Sequence, residues 1–352
     1  MRDSRVSQTL GIKYPIIQGP FGGGLSSVNL LAAVSNGGGL GSFGAHYLTS
    51  LEIETLDKEI KAKTNKRYAL NLWVSDQDEN GLHLDRERFE KTYELLKPYF
   101  EELNVPKPEY PEKFGQKFSE QVETILKLKP PVFSFVYGVP DEAILKECRK
   151  QKIITIGTAC TPDEAQLLDE KGVDLIVATG LEAGGHRVSF LKKAEDSLYG
   201  NFALIPQVVD RVKAPVISAG GIVDHRGVQA AFILGAEGVQ VGTAFLATGE
   251  SNAPDIHRKK LFTKEAHYTN LTRAYTGRLA RGIENRMMVE MRSKLDQLAP
   301  YPAQSWFTGK LKKAAIEQGR ADLMSLWSGQ SAALLKHHTA LEVLESLIKG
   351  IE

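Results

Sequence analysis

Apolar residues along this chain collect in eight short runs, each closed by glycine or a polar turn. They are Pro15–Gly19, Gly39–Phe43, Tyr68–Trp73, Val132–Gly138, Ile153–Ala159, Leu175–Gly180, Pro215–Gly221 and Gly238–Phe245. Such runs, rich in branched side chains and bounded by turn signals, predict strands buried on both faces of a parallel sheet. Between most of them apolar positions recur at helical spacing. Two successive units share one grammar: SFVYG leads into Pro140-Asp141-Glu142-Ala143 and a helix, and ITIGTAC into Pro162-Asp163-Glu164-Ala165 and another. In the second, Thr161 is placed as N-cap, Pro162 as the first helical residue and Glu164 as the third, a capping box, with Gly172 ending the helix. Eight strands alternating with helices predict an α/β fold of the (β/α)8 TIM barrel type. A doubly wound open sheet is the rival; the count of eight favours the barrel.

Two regions exceed a minimal barrel. Asp76 to Gln121 is polar and proline-punctuated and reads as an elaborated loop after the third strand, while Ser251 to Ser328 reads as a helical cap over the barrel mouth. The expected division is residues 1–250 plus 329–352 as barrel and 251–328 as a smaller helical cap or substrate domain. The spacing of Leu334, Leu335, Leu341, Leu344 and Leu347 predicts a closing helix that packs back on the barrel.

Composition excludes several functions. Of 352 residues, 42% are hydrophobic and 25% charged, with a formal net charge of +1, ordinary for a globular protein with a large core. No cluster of Lys and Arg with interleaved aromatics occurs, which argues against nucleic acid or an acidic membrane surface as partner. The lysine-rich stretches 61–66 and 310–313 read as solvated helix faces. Cys148 and Cys160 have no metal-ligand spacing, so neither a metal site nor a disulfide scaffold is expected. The N-terminal stretch lacks an apolar signal core and no run reaches membrane-spanning length, so a cytoplasmic enzyme is the expectation.

Barrel active sites lie at the C-terminal ends of the strands, so the residues just past each strand are the candidates. The sixth strand ends in Thr179-Gly180, and the paired glycines Gly184 and Gly185 then deliver His186, the candidate acid or base. The first strand is succeeded by a glycine ledge that includes Gly22, and the third offers Asn71, whose carboxamide can donate and accept at a heterocycle edge. The last two strands end in Ala219-Gly220-Gly221-Ile222 and Gln240-Val241-Gly242-Thr243, where barrels commonly bind phosphate. No GxGxxG fingerprint appears, so a monophosphate tail with a flat ring, as in flavin mononucleotide (FMN), fits better than a Rossmann-bound dinucleotide.

These segments resemble class I nitronate monooxygenases, the family formerly called 2-nitropropane dioxygenases. The matching stretches are QGPFGGG (Gln18–Gly24), NLW (Asn71–Trp73), GLEAGGHR (Gly180–Arg187), SAGGI (Ser218–Ile222), QVGTAF (Gln240–Phe245), TGRLARG (Thr276–Gly282), Tyr301-Pro302 and WSGQ (Trp327–Gln330). The resemblance implies an FMN-containing TIM barrel that oxidises alkyl nitronates such as propionate 3-nitronate with O2, through a flavin semiquinone, to a carbonyl compound and nitrite. It implies FMN contacts from Gly22, Asn71, Thr179, Gly184, Gly221, Gln240, Val241, Gly242 and Thr243. His186 matches the family's active-site histidine, Tyr301 and Arg187 are candidate substrate contacts, and Ser328 to Gln330 approach the flavin. Three departures stand out: Thr179 where glutamine is usual, Val136 where many members have a polar residue, and Val188 in place of a glycine.

His186 then has a main duty, hydrogen bonding to the nitronate oxygens, and a secondary one, deprotonation of neutral nitroalkanes. Arg187 has a competing reading as a structural salt bridge. Glu182 is expected to cap its loop, and the other histidines to be surface or core residues. An NAD(P)H-dependent flavin reductase acting on a quinone or enoyl thioester is the alternative function, and a flavin-binding barrel without turnover a third.

Overall fold

The computed structural model describes residues 4–74 and 82–351. All eight expected strands form one parallel sheet: β1 (Ile16–Gln18), β2 (Gly41–Gly44), β3 (Tyr68–Trp73), β4 (Val132–Val136), β5 (Ile154–Ala159), β6 (Leu175–Thr179), β8 (Val216–Ala219) and β9 (Gly238–Val241). Their order is β1-β9-β8-β6-β5-β4-β3-β2. A parallel bridge between Ile17 and Leu40 joins the two outer strands, with the Gln18 N–H on the Leu40 carbonyl and the Leu40 N–H on the Ile16 carbonyl, both at 2.9 Å. The sheet is a closed TIM barrel.

Alternate residues point in and out of a closed sheet, and two apolar layers result. Ile17, Leu40, Ala69, Val132, Ile156, Leu175, Val177 and Ile217 fill the barrel interior, joined by Val6 and Leu10 of a short N-terminal helix, Arg5–Leu10. That helix plugs the barrel bottom, a role its polar sequence did not suggest. The other layer, including Leu30, Leu70, Phe133, Phe135, Leu204 and Phe245, lies between strands and outer helices. The closing helix Ala340–Ile348 packs there through Val343, Leu344 and Leu347.

The helix Pro162–Glu170 begins as expected, with Thr161 Oγ1 accepting the Glu164 N–H. The reciprocal half of the box is different. The Glu164 carboxylate turns instead to the N–H groups of Cys160, Phe190 and Leu191, tying the loop after His186 to this helix.

Three boundaries depart from expectation. The run Gly238–Phe245 is a strand only to Val241, because Gly242 leaves the extended region and Thr243–Leu246 is helical. Gly185–His186 is itself a short strand, β7, and the region 251–328 contains β10 (Thr269–Thr272) and β11 (Ala280–Ile283). These form a second antiparallel sheet in the order β10-β11-β7. The elaboration after β3 falls partly on residues 75–81, outside the described residues. Its remainder includes the helix Arg86–Glu102, whose Phe89, Leu96 and Phe100 share one core with Met287, Phe307 and Leu311 from the later region.

Candidate active site

A cavity of about 670 Å³ opens at the C-terminal end of the barrel, within the roughly 300–1,000 Å³ usual for small-molecule sites. Its floor is set by strand register. Asn71 lies beside Ser134 on neighbouring strands and donates to its hydroxyl at 3.0 Å. Thr179, Ala219 and Gln240 are successive neighbours across β6, β8 and β9. All five line the cavity, together with Gly22, Gly184, Gly221, Gly242, Thr243, His186 and Tyr301. Val241 is buried beneath, its carbonyl taking the Gly19 N–H.

His186 is held from two sides. Its strand pairs with β11, Ala280 opposite His186 and Arg281 opposite Gly185, so the cap hairpin fixes the loop that leaves the barrel. Gly185 makes the turn with φ +76°, where a side chain would be strained. Nε2 of His186 lies 2.9 Å from Thr276 Oγ1, and that hydroxyl is placed to donate to the Arg278 carbonyl at 3.1 Å. Burial first, and then the Arg278 charge, depress the His186 pKa to about 3, so the imidazole is neutral at physiological pH.

Aromatic rings enclose this histidine. Trp73 meets it edge-on at 5.0 Å, Trp327 is tilted at 5.4 Å, and Tyr301 is 5.1 Å from Trp73. His46 stacks flat on Trp73 at 3.8 Å and lines the cavity; burial is the main cause that holds its pKa well below the usual imidazole value. The Trp327–Ser331 segment closes the opposite side. Gly329 donates to Thr243 Oγ1 at 2.9 Å, Gln330 to the Glu182 carbonyl at 3.0 Å, and Ser331 Oγ to the Gly221 carbonyl at 2.8 Å.

A family model described as nitronate monooxygenase matches residues 3–350. The chain belongs to the nitronate monooxygenase family. It is 40% identical over 349 residues to a probable nitronate monooxygenase of Staphylococcus aureus (strain MRSA252), covering 99% of this chain and 97% of that one. Among solved structures it is similar to nitroalkane oxidase from Streptomyces ansochromogenes, with a TM-score of 0.86, 32% identity and 97% and 96% of the two chains covered. FabK from Thermotoga maritima is similar with a TM-score of 0.77 and 25% identity, covering 99% and 96%.

As a nitronate monooxygenase the protein is an oxidoreductase that oxidises nitronates with a flavin. The site fits such a group: carboxamides of Asn71 and Gln240 border the cavity, and the glycine loops after β6, β8 and β9 bring backbone to its edge. With the Gly329 N–H on its oxygen, the Thr243 hydroxyl keeps its proton for a ligand.

Two of the family departures have a shared packing role. Val136 and Val188 join Trp73, Tyr137 and Cys160 in one apolar cluster, with Tyr301 against it. Arg187 is 1% exposed and does not line the cavity. Its guanidinium donates to the Thr179 and Gly180 carbonyls at 2.7 and 2.6 Å, so its contacts among the described residues are to backbone and not to a carboxylate.

His46 and Lys312 are among the cavity residues that sequence reasoning missed. His46 lies two residues past β2, so reading strand ends would have included it. The lysine-rich stretch 310–313 reads in sequence as a solvated face, yet Ser305, Thr308, Gly309 and Lys312 form one helical stripe of Ala303–Glu317 that lines the cavity. The 3, 4 and 7 spacing of that stripe was its signal. Burial lowers the Lys312 pKa to about 8.

Proposed function

We propose that the protein is an FMN-dependent nitronate monooxygenase whose preferred substrates are small nitronates bearing a carboxylate, propionate 3-nitronate foremost. O2 is the co-substrate, and a carbonyl compound and nitrite are the products. The observation that carries this reading is one shared cavity, lined both by the glycine loops after β8 and β9 and by His186, Trp73 and Lys312.

When bound, FMN supplies an acceptor for the electrons of the carbanion-like nitronate and a route from there to O2. The chain supplies binding and orientation. Lys312 is cationic at neutral pH and offers a counter-charge to the substrate carboxylate. The aromatic wall around Trp73 excludes water beside the reacting carbon, which strengthens each polar contact. A nitronate oxygen needs a donor, and the neutral imidazole of His186 provides one in the tautomer with its N–H toward the substrate. The Thr276 hydroxyl supports that tautomer by turning its single proton from the Arg278 carbonyl to Nε2, since a hydroxyl rotates between the two acceptors within its reach. An imidazole of such low proton affinity is a weak acceptor for a C–H proton, which keeps deprotonation of nitroalkanes secondary.

The test starts from purified protein. Its released flavin is compared with FMN, FAD and riboflavin by chromatography, and O2 uptake and nitrite formation are followed with propionate 3-nitronate. Released FMN, nitrite formation and no anaerobic bleaching by NADH support the proposal. Bleaching by NADH with no response to nitronates would instead place the protein with NAD(P)H-dependent reductases.

A further inference from the structure

The carboxylate of Glu182 and the carboxamide of Asn201 stand behind the cavity wall rather than in it. Glu182 Oε1 accepts the Asn201 N–H at 2.9 Å, at the first residue of the helix Asn201–Val209. Asn201 Nδ2 in turn donates to the carbonyls of Ala219 at 2.9 Å and Gly220 at 2.6 Å. The carbonyl and N–H of one trans peptide point in opposite directions. Tying these two carbonyls back to Asn201 therefore turns the N–H groups of Gly220 and Gly221 the other way, toward the cavity that both residues line.

The Ala219 carbonyl also takes the Gly180 N–H at 2.9 Å from the neighbouring strand, so the restraint from Asn201 weighs most on the Gly220 carbonyl, and through it on the Gly221 N–H. Gly220 and Gly221 adopt φ of +105° and +73°, and glycine peptides rotate freely in the absence of a fixing contact. The support is close-fitting. A Cβ on Gly180 would lie 2.2 Å from Glu182 Oε2 and 2.6 Å from Asn201 Oδ1, so both side chains stand against the Gly180 backbone. Ser331 Oγ holds the next carbonyl, that of Gly221, at 2.8 Å.

We propose that Glu182 and Asn201 are positioning residues for a phosphomonoester: they pre-orient the backbone donors of Gly220 and Gly221 and thereby set a preference for FMN over riboflavin. Donors fixed before binding cost no reorganisation when the anion arrives. The inference rests on the FMN reading above.

The test is titration of flavin-stripped full-length protein with FMN and with riboflavin, followed by flavin fluorescence. In Asn201→Ala the Kd for FMN rises on the order of 10- to 100-fold, the worth of one or two charge-assisted hydrogen bonds, while that for riboflavin stays within about threefold. Glu182→Ala behaves in the same way, and Glu182→Gln, which keeps an acceptor for the Asn201 N–H, stays near wild type. Should Asn201→Ala not yield folded protein, Asn201→Ser, too short to span both carbonyls, is read in its place. If Asn201→Ala loses both ligands equally, or keeps the wild-type ratio, the inference is overturned while the FMN reading stands. If wild type itself binds riboflavin as tightly as FMN, the FMN reading fails and the inference with it.

Discussion

At the scale of single residues, the site separates side chains that meet a ligand from those that hold the residues that do. Lys312 belongs to the first group in our proposal, and Lys312→Met tests it. KM for propionate 3-nitronate should rise about 10-fold or more, with kcat and the KM for ethylnitronate little changed, since only the former carries a carboxylate. The same contact has a pH signature. The ammonium form persists below its pKa of about 8, so the wild-type KM for the carboxylated substrate should climb above pH 8, and that climb should be absent in Lys312→Met. Equal effects on both substrates would remove the carboxylate contact. Arg187 belongs to the second group. Arg187→Met removes two charge-assisted hydrogen bonds to backbone carbonyls, leaving that of Gly180 with the Ala183 N–H at 3.1 Å, at a cost of about 3 kcal/mol; thermal unfolding should shift down while substrate KM holds. The glycine loops and His186 were legible in the sequence because strand ends are legible. The destination of Arg187 was not, since a guanidinium beside a candidate active-site histidine fits an anion as well as a carbonyl until the backbone is placed.

At the scale of elements, the decisive feature is that β7 leaves the barrel and pairs with β11. The eight barrel strands could be read from apolar runs, because burial on both faces imposes a continuous pattern. β7 could not, since a two-residue Gly185-His186 strand has no period and its partner lies far along the chain. The cap was expected to be helical for the same reason: the hairpin of β10 and β11 is short beside the helices around it. The strand pairing gives Gly185 a testable role. An added Cβ there would meet nothing within 4 Å, but its φ is +76°, so strain alone opposes a side chain. Gly185→Ala should cost about 1–2 kcal/mol in the left-handed region, relieved by a shift of the loop that moves His186. The expected outcome is a lowered kcat with nitronate and unchanged flavin content; unaltered kcat would show that this turn does not set the position of His186.

At the scale of the whole molecule, three histidines are held neutral by burial: His46, His186 and His257, the last donating from Nε2 to the Trp327 carbonyl at 3.0 Å. Each has a folded-state pKa below the ordinary 6.5, about 3 for His186 and about 4 for His257. Below pH 6.5 the unfolded chain takes up protons at these positions and the folded protein does not. Stability is therefore complete above pH 6.5 and is lost as the pH falls toward the folded values, by about 1.4 kcal/mol per pH unit for each histidine. Carboxylates held low by cations, such as Glu102 at about 2 beside Arg286 and Arg320, contribute below their ordinary value of 4.5; in the interval from 4.5 to 6.5 the histidines act against Glu164, whose carboxyl burial pushes up. In denaturant unfolding of the apo-protein across that interval, His186 and His257 together should contribute a slope of roughly 3 kcal/mol per pH unit at its steepest, with His46 acting in the same direction. His257→Gln, which keeps a donor for the Trp327 carbonyl, should remove about 1.4 kcal/mol per pH unit of it. A stability independent of pH between 5 and 6.5 would mean that these rings gain protons in the folded protein. The neutral His186 on which the substrate hydrogen bond depends would then have to be replaced by an imidazolium.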